Sequence, residues 1–172
     1  MAGGGTIALE TLESLPEADL LVVPAGGGGL ISGVALAAKG VKTDIQVYGV
    51  QSTASPTLHA AMAAGHQVTV PIKDSLADGL AGNIAAGSIT VDLAGQFVDE
   101  VLLVEEADIA AAMRLVLEHE HVLVEGSSAV TVAALETGRL AVGGRTVVLV
   151  LTGRNVAPSV LRSVLGLAPG SV

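Results

Sequence analysis

With 172 residues, 51% of them apolar, the chain has the size of one domain and ample material for a core. Its formal net charge of −9, with only eight Lys and Arg scattered along it, leaves no basic stripe to track a phosphodiester backbone, so nucleic acid is not an expected partner. No apolar run approaches the roughly 20 residues that span a bilayer, residues 1–6 lack the charged and apolar regions of a secretory signal, and the absence of cysteine removes disulfide frameworks and thiolate metal sites; a cytoplasmic protein without membrane partners is expected.

Residues 6–15 carry Ile7, Leu9, Leu12 and Leu15 with Glu10 and Glu13 between them, which predicts a short amphipathic helix closed by Pro16. Leu20, Leu21, Val22 and Val23 form a compact apolar run of the kind found in strands buried on both faces. Four glycines follow at once, residues 30–38 read as helix, and residues 45–50 as a second strand, giving a strand, glycine loop, helix, strand unit. A small-residue helix is expected over 56–64, ended by Gly65, then an extended stretch at 68–72 and a loop over 75–88. Further on come a helix near 89–97, a strand at 100–104, and a helix through 109–117 with Glu105, Glu106 and Asp108 in its first turn. A helix over 127–136 is closed by Gly138; residues 146–151 are the strongest strand signal, and the turn Thr152-Gly153-Arg154-Asn155 leads to a last helix through Leu165. Strands alternating with helices predict an α/β fold, an open and mostly parallel sheet with helices on both faces. No repeat or linker divides the chain, so a single domain over 1–172 is expected.

In such sheets ligands gather beyond the carboxyl ends of the strands, so the loops after Val23, Val50 and Leu151 should share one rim. Gly26-Gly27-Gly28-Gly29 lets backbone N–H groups converge without obstruction while the next helix offers its positive end to an anion. A tight strand-to-helix turn alone needs only one or two glycines. A dinucleotide fingerprint would require glycine where Ile31 stands, or Gly or Ala where Ser32 stands, and an acidic residue near Gln51 and Ser52; a P-loop would require Lys and Ser or Thr after the last glycine. Neither pattern is present, which leaves one phosphate monoester on a small cofactor as the better fit. The pair His119 and His121 flanking Glu120 points to different sides of a helix and reads as a solvated helix end.

The ordered set Ala2-Gly3-Gly4-Gly5-Thr6-Ile7-Ala8-Leu9-Glu10, Val22-Val23-Pro24-Ala25 with the four glycines and Leu30, Ala77-Asp78-Gly79-Leu80, and Leu151-Thr152-Gly153-Arg154-Asn155 resembles the fold type II pyridoxal phosphate enzymes, in particular threonine and serine dehydratases (ammonia-lyases) and serine racemases. The resemblance implies the large-domain part of the tryptophan synthase β-like fold. It implies that Gly26, Gly27, Gly28 and Gly29, with Leu30 beside them, hold the phosphate of pyridoxal phosphate, that Thr152 offers a neutral hydroxyl to the pyridine nitrogen, that Glu125 lines the cofactor pocket, and that Asp78 and Gly79 lie by the substrate. Read without the family pattern, Thr152 caps the last helix, Asp78 organises a turn and Glu125 caps a helix N-terminus.

The departures matter as much. The family forms its Schiff base through a lysine in an N-terminal segment, with a small domain for the substrate carboxylate, and the resemblance implies that both are absent here, leaving no catalytic residue in this chain. Lys39, Lys42 and Lys73 are in no such position and read as solvated surface. Racemase-like relatives bind a divalent cation through carboxylates where Gln51 and Thr57 stand, so no metal is expected, and Arg154 replaces a common glycine. The expected function is the C-terminal part of a threonine or serine ammonia-lyase, acting on a small amino acid once a lysine-bearing N-terminal partner chain completes it, and inactive alone. The alternative is a non-catalytic phosphate-binding or assembly module. Open sheet edges invite pairing, so homo-oligomerisation is expected.

Overall fold

A computed structural model of the chain describes residues 1–167; residues 168–172, the end of the expected domain, lie outside the described residues. In chain order the elements are α1 (Ala2–Ser14), β1 (Leu20–Pro24), α2 (Gly29–Val41), β2 (Gln46–Ser52), α3 (Thr57–Ala64), a single 3-10 turn (Asp78–Leu80), α4 (Thr90–Phe97), β3 (Glu100–Val104), α5 (Glu106–Leu115), a π-helical turn (Val116–Glu120), α6 (Gly126–Glu136), β4 (Val147–Leu149) and α7 (Pro158–Val164). The strands form one parallel sheet in the order β3-β2-β1-β4. The α/β sheet with helices on both faces is therefore the one expected.

Every residue of β1 is buried, as a central strand covered on both sides requires. Its side chains alternate between two cores. Leu21 and Val23 pack with Val47 and with Ala8, Ile31, Val34, Leu58 and Val91 from α1 to α4. Leu20 and Val22 pack with Val50, Val104 and with Ile109, Met113, Val130 and Val164 from α5 to α7. From β1 to β3 the chain steps outward in one direction with α2 to α4 on one face. It then returns past β1 to β4 with α5 and α6 on the other face. This reversal opens a crevice where the loops after β1 and β4 diverge, at the carboxyl ends of the strands.

Three elements differ from their sequence expectation. Helix α1 starts at Ala2, several residues early, and runs through Gly3-Gly4-Gly5. Glycines cost a helix ~1 kcal/mol each relative to Ala, but here they permit close packing on α2. A Cβ on Gly5 would come within 3.1 Å of Gly33 O and 3.2 Å of Ala37 Cβ. Strand β4 keeps only three of the six residues expected, Val147–Leu149, paired with Leu20, Leu21 and Val22 of β1; among the described residues its outer edge has no strand partner and its side chains are half-buried. Residues 68–72 form no strand; Val70 instead exchanges hydrogen bonds with the Asn83 side chain, N to Oδ1 at 2.9 Å and Nδ2 to O at 3.1 Å. Among the described residues no helix is long and apolar enough to cross a membrane.

Candidate functional site

A cleft of about 290 Å³ lies in the crevice, lined by Pro24, the four glycines, Leu30, Gly79, Leu80, Glu125, Ser127 and Thr152. One wall is the loop between β1 and α2. Gly28 caps α2 with φ 88, a conformation that glycine adopts freely and other residues rarely do. The loop's carbonyls are tied back to the protein: Gln51 Nε2 donates to Gly26 O at 3.3 Å, Thr90 Oγ1 to Gly27 O at 2.7 Å, and Ser32 N to Gly28 O at 3.0 Å. In a trans peptide the N–H points away from its own C=O, and no described peptide is cis. Anchoring these carbonyls therefore turns the N–H groups of Gly27, Gly28 and Gly29 the opposite way. Among the described residues no protein acceptor takes them. Three donors at the start of a 13-residue helix make an anion cradle.

The other wall comes from α6 and the loop after β4. Glu125 stands at the N-cap position of α6, yet its side chain makes no capping bond. The carboxylate reaches across instead, accepting Asn155 N at 2.8 Å, while Glu125 N donates to Gly153 O at 3.1 Å. Ser128 Oγ, fully buried, accepts Thr152 N at 2.6 Å and Gly153 N at 3.2 Å. The first turn of α6 thereby fixes the loop that presents Thr152. A Cβ on Gly153 would sit 2.5 Å from the Glu125 carboxyl carbon, so the glycine lets that carboxylate lie against the loop. Above the cleft, Asp78 Oδ1 accepts Gly79 N at 2.8 Å and begins the 3-10 turn, so this side chain organises a turn while Gly79 and Leu80 form the lip. Leu80 closes on the cradle: a Cβ on Gly26 would lie 3.1 Å from Leu80 Cα.

The family model for pyridoxal-phosphate dependent enzymes matches residues 1–153. The chain belongs to this family. It is 42% identical over 156 residues to an L-threonine ammonia-lyase of Thermotoga maritima, covering 91% of this chain and 38% of that protein. It is similar to the structure of maize serine racemase, with a TM-score of 0.84 and 33% identity over 95% of this chain and 51% of the other. It is also similar to the processed form of threonine deaminase isoform 2 from Solanum lycopersicum, with a TM-score of 0.86 and 29% identity over 97% of this chain and 49% of the other. The chain thus spans 38% to 51% of the length of these three proteins.

The cradle fits the phosphate of such a cofactor. A Cβ on Gly27 or Gly29 would meet nothing within 4 Å, so open space adjoins the backbone where the anchored carbonyls turn the donors. The volume is at the small end of ligand pockets, which run from about 300 to 1,000 Å³. Of the expected residues, Gly26 to Leu30, Gly79, Glu125 and Thr152 converge on the cleft, and Asp78 stands one residue outside its lining. Thr152 does not cap the last helix, whose N-cap is Ala157. The exposed Arg154 lies beside Thr152 in an adjoining shallow pocket.

None of the three lysines of this family member lines the cleft. Lys39 lies at the opposite end of the sheet, where its Nζ donates to Ile45 O at 3.0 Å and pairs with Asp99 at 2.9 Å. Lys42 Nζ donates to Ala18 O at 2.9 Å. Both are thus more tightly held than the solvated surface expected of them.

Several supporting residues escaped sequence reasoning. Thr90 and Gln51 hold the glycine loop, and Gln51 Oε1 also accepts His59 N at 2.8 Å. Glu106 accepts Ser52 Oγ, Ser75 Oγ at 2.7 Å and Leu76 N at 2.6 Å, which pins the chain leading into the Asp78–Leu80 turn. Ser127 lines the cleft without having been singled out. No local pattern marks Thr90, Gln51 and Glu106, because each acts on a segment far away in the chain.

Proposed function

We propose that this chain is the phosphate-holding large-domain part of a pyridoxal phosphate-dependent threonine or serine ammonia-lyase, which converts a hydroxy amino acid to a 2-oxo acid and ammonia. The observation that carries the reading is the glycine loop whose carbonyls are tied back by Gln51, Thr90 and Ser32, leaving its N–H groups for an anion. Gly27, Gly28 and Gly29 would hold the phosphate, and Thr152 and Glu125 would face the ring. Bound pyridoxal phosphate supplies an electron sink for the amino acid's α-carbon. A neutral Thr152 hydroxyl accepts or donates one hydrogen bond without adding charge, and the Glu125 carboxylate, held by Asn155 N, fixes the shape of that wall. The Schiff-base lysine would come from a segment outside these 172 residues, and without it the chain would be inactive. Pairing at the open outer edge of β4, by that segment or by a second copy, belongs to the same reading.

The absence of any lysine from the cleft lining supports a second reading, a phosphate-binding assembly module without catalysis. Pyridoxine 5′-phosphate tests the cradle, because its alcohol cannot react with surface lysines. The wild type is expected to bind it, and Gly27→Asp, which adds a carboxylate at a position with open space around its Cβ, is expected to abolish binding while leaving thermal stability unchanged. Equal binding by both proteins would overturn the phosphate assignment. Release of 2-oxo acid from serine or threonine after a lysine-bearing N-terminal segment is supplied would decide for the enzyme; binding without turnover would decide for the module.

A further inference from the structure

Among the described residues one buried side-chain polar atom has no hydrogen-bond partner, and it belongs to the cleft: Ser127 Oγ, in a residue only 4% exposed. Its neighbour Ser128 shows what a serine in this turn does when it serves the fold, accepting two backbone N–H groups of the loop after β4. Ser127 does nothing comparable. Burying a hydroxyl without a partner costs stability, and native proteins rarely keep one unless it has other work.

Its surroundings indicate that work. Ser127 shares its wall of the cleft with Glu125 and Thr152. It lies under the lip residue Gly79: a Cβ on Gly79 would stand 2.8 Å from Ser127 Oγ and 3.7 Å from Glu125 Oε1. A side chain at position 79 would therefore press on the hydroxyl, and glycine avoids this. The N–H of Gly79 is meanwhile occupied by Asp78. An acceptor that reaches this covered hydroxyl removes the cost of leaving it unpaired.

We infer that Ser127 is a ligand-binding residue whose Oγ–H donates to an acceptor atom of the bound phosphorylated ring, approached past the side-chain-free Cα of Gly79. The inference rests on the cofactor reading of the cleft and adds a contact to it. It also explains two sequence features together: serine at 127 without a structural partner, and glycine at 79 with an ordinary φ.

The test compares wild type and Ser127→Ala by thermal denaturation without ligand and by titration with pyridoxine 5′-phosphate. A binding hydroxyl predicts opposite responses: unliganded Tm unchanged or raised, and affinity weakened about 3- to 30-fold, as for loss of one buried hydrogen bond. A structural hydroxyl predicts a lowered unliganded Tm, and that result would overturn the inference. So would equal affinity in the two proteins when the wild type binds, with the cofactor reading left standing. If the wild type itself fails to bind pyridoxine 5′-phosphate, the cofactor reading and the inference fall together, an outcome distinct from the previous one.

Discussion

The loop after β1 and the loop after β4 both line the cleft, but they are held in different ways. The first is anchored through its own backbone, by three donors drawn from β2, from α2 and from the start of α4, and it leaves a central strand paired on both sides. The second leaves a three-residue edge strand and depends on two side chains of one helix end, Glu125 and Ser128. A phosphate needs several convergent donors in fixed positions, which backbone geometry provides. In the proposed reading the other wall faces the ring, which needs only a few side chains presented at the right height. The difference teaches that the proposed anion site follows the strand paired on both sides, and the other wall follows an edge strand.

Gly28→Ala should break the first wall most severely. The new Cβ would be forced into φ 88 and would lie 2.9 Å from Thr90 Cβ, so left-handed strain and overpacking add. A loss of about 2–4 kcal/mol is expected, read as a lower denaturation midpoint in urea, together with loss of phosphate affinity. Gly27, one residue earlier, carries no such strain and its Cβ would meet nothing within 4 Å. A midpoint for Gly28→Ala equal to that of Gly27→Ala would show that the cradle is not rigid in the way its contacts indicate.

Ser128→Ala should loosen the second wall alone. It removes the acceptor shared by Thr152 N and Gly153 N, at an expected cost of about 1–3 kcal/mol for donors left without a partner. Amide hydrogen exchange should accelerate at residues 152 and 153 and stay unchanged at Ser32 and Ala25, whose bonds hold the first wall. Acceleration on both sides would mean that the walls are coupled.

The same contrast governs what was legible in the sequence. The glycine loop was readable because its chemistry is local: a buried apolar strand, four glycines and a helix are contiguous. The absence of dinucleotide and P-loop partners could also be read position by position. Thr152 and Glu125 came only through the family pattern, since each owes its place to a partner about 25 residues away or more. Ser127 stayed hidden beside Glu125, because a serine in a first helical turn ordinarily signals capping, and its meaning lies in a hydrogen bond it does not make. Strand β4 is shorter than its signal of five apolar residues after Thr146 suggests, because only Val147–Leu149 find partners on β1, a limit that lies in the pairing and not in the local sequence. Helix α1 was underread because three glycines argue against helix until the close approach to α2 is known.

The smallest effect distinguishes a hard obstacle from a yielding one. In Gly153→Ala the new Cβ would meet the Glu125 carboxylate, with all three of its atoms within 2.5–2.7 Å. That overlap is closer than any at the glycine cradle, yet the obstacle is the far end of a flexible side chain rather than a β-branched residue fixed by its own hydrogen bonds. Glu125 can swing away and give up one bond to Asn155 N, near an exposed loop where water replaces the lost acceptor. The expected cost is therefore about 1 kcal/mol or less, visible as a Tm drop of a few degrees at most. The cleft should register the change more strongly than the fold does, because the displaced carboxylate belongs to a residue of its lining while the cradle stays in place. Pyridoxine 5′-phosphate, which tests the ring end, should then lose affinity in Gly153→Ala, whereas inorganic phosphate, which reports the cradle alone, should bind as in the wild type. Equal losses for both ligands would show that the edge-strand wall helps to shape the phosphate site, and the division between the two walls would have to be abandoned.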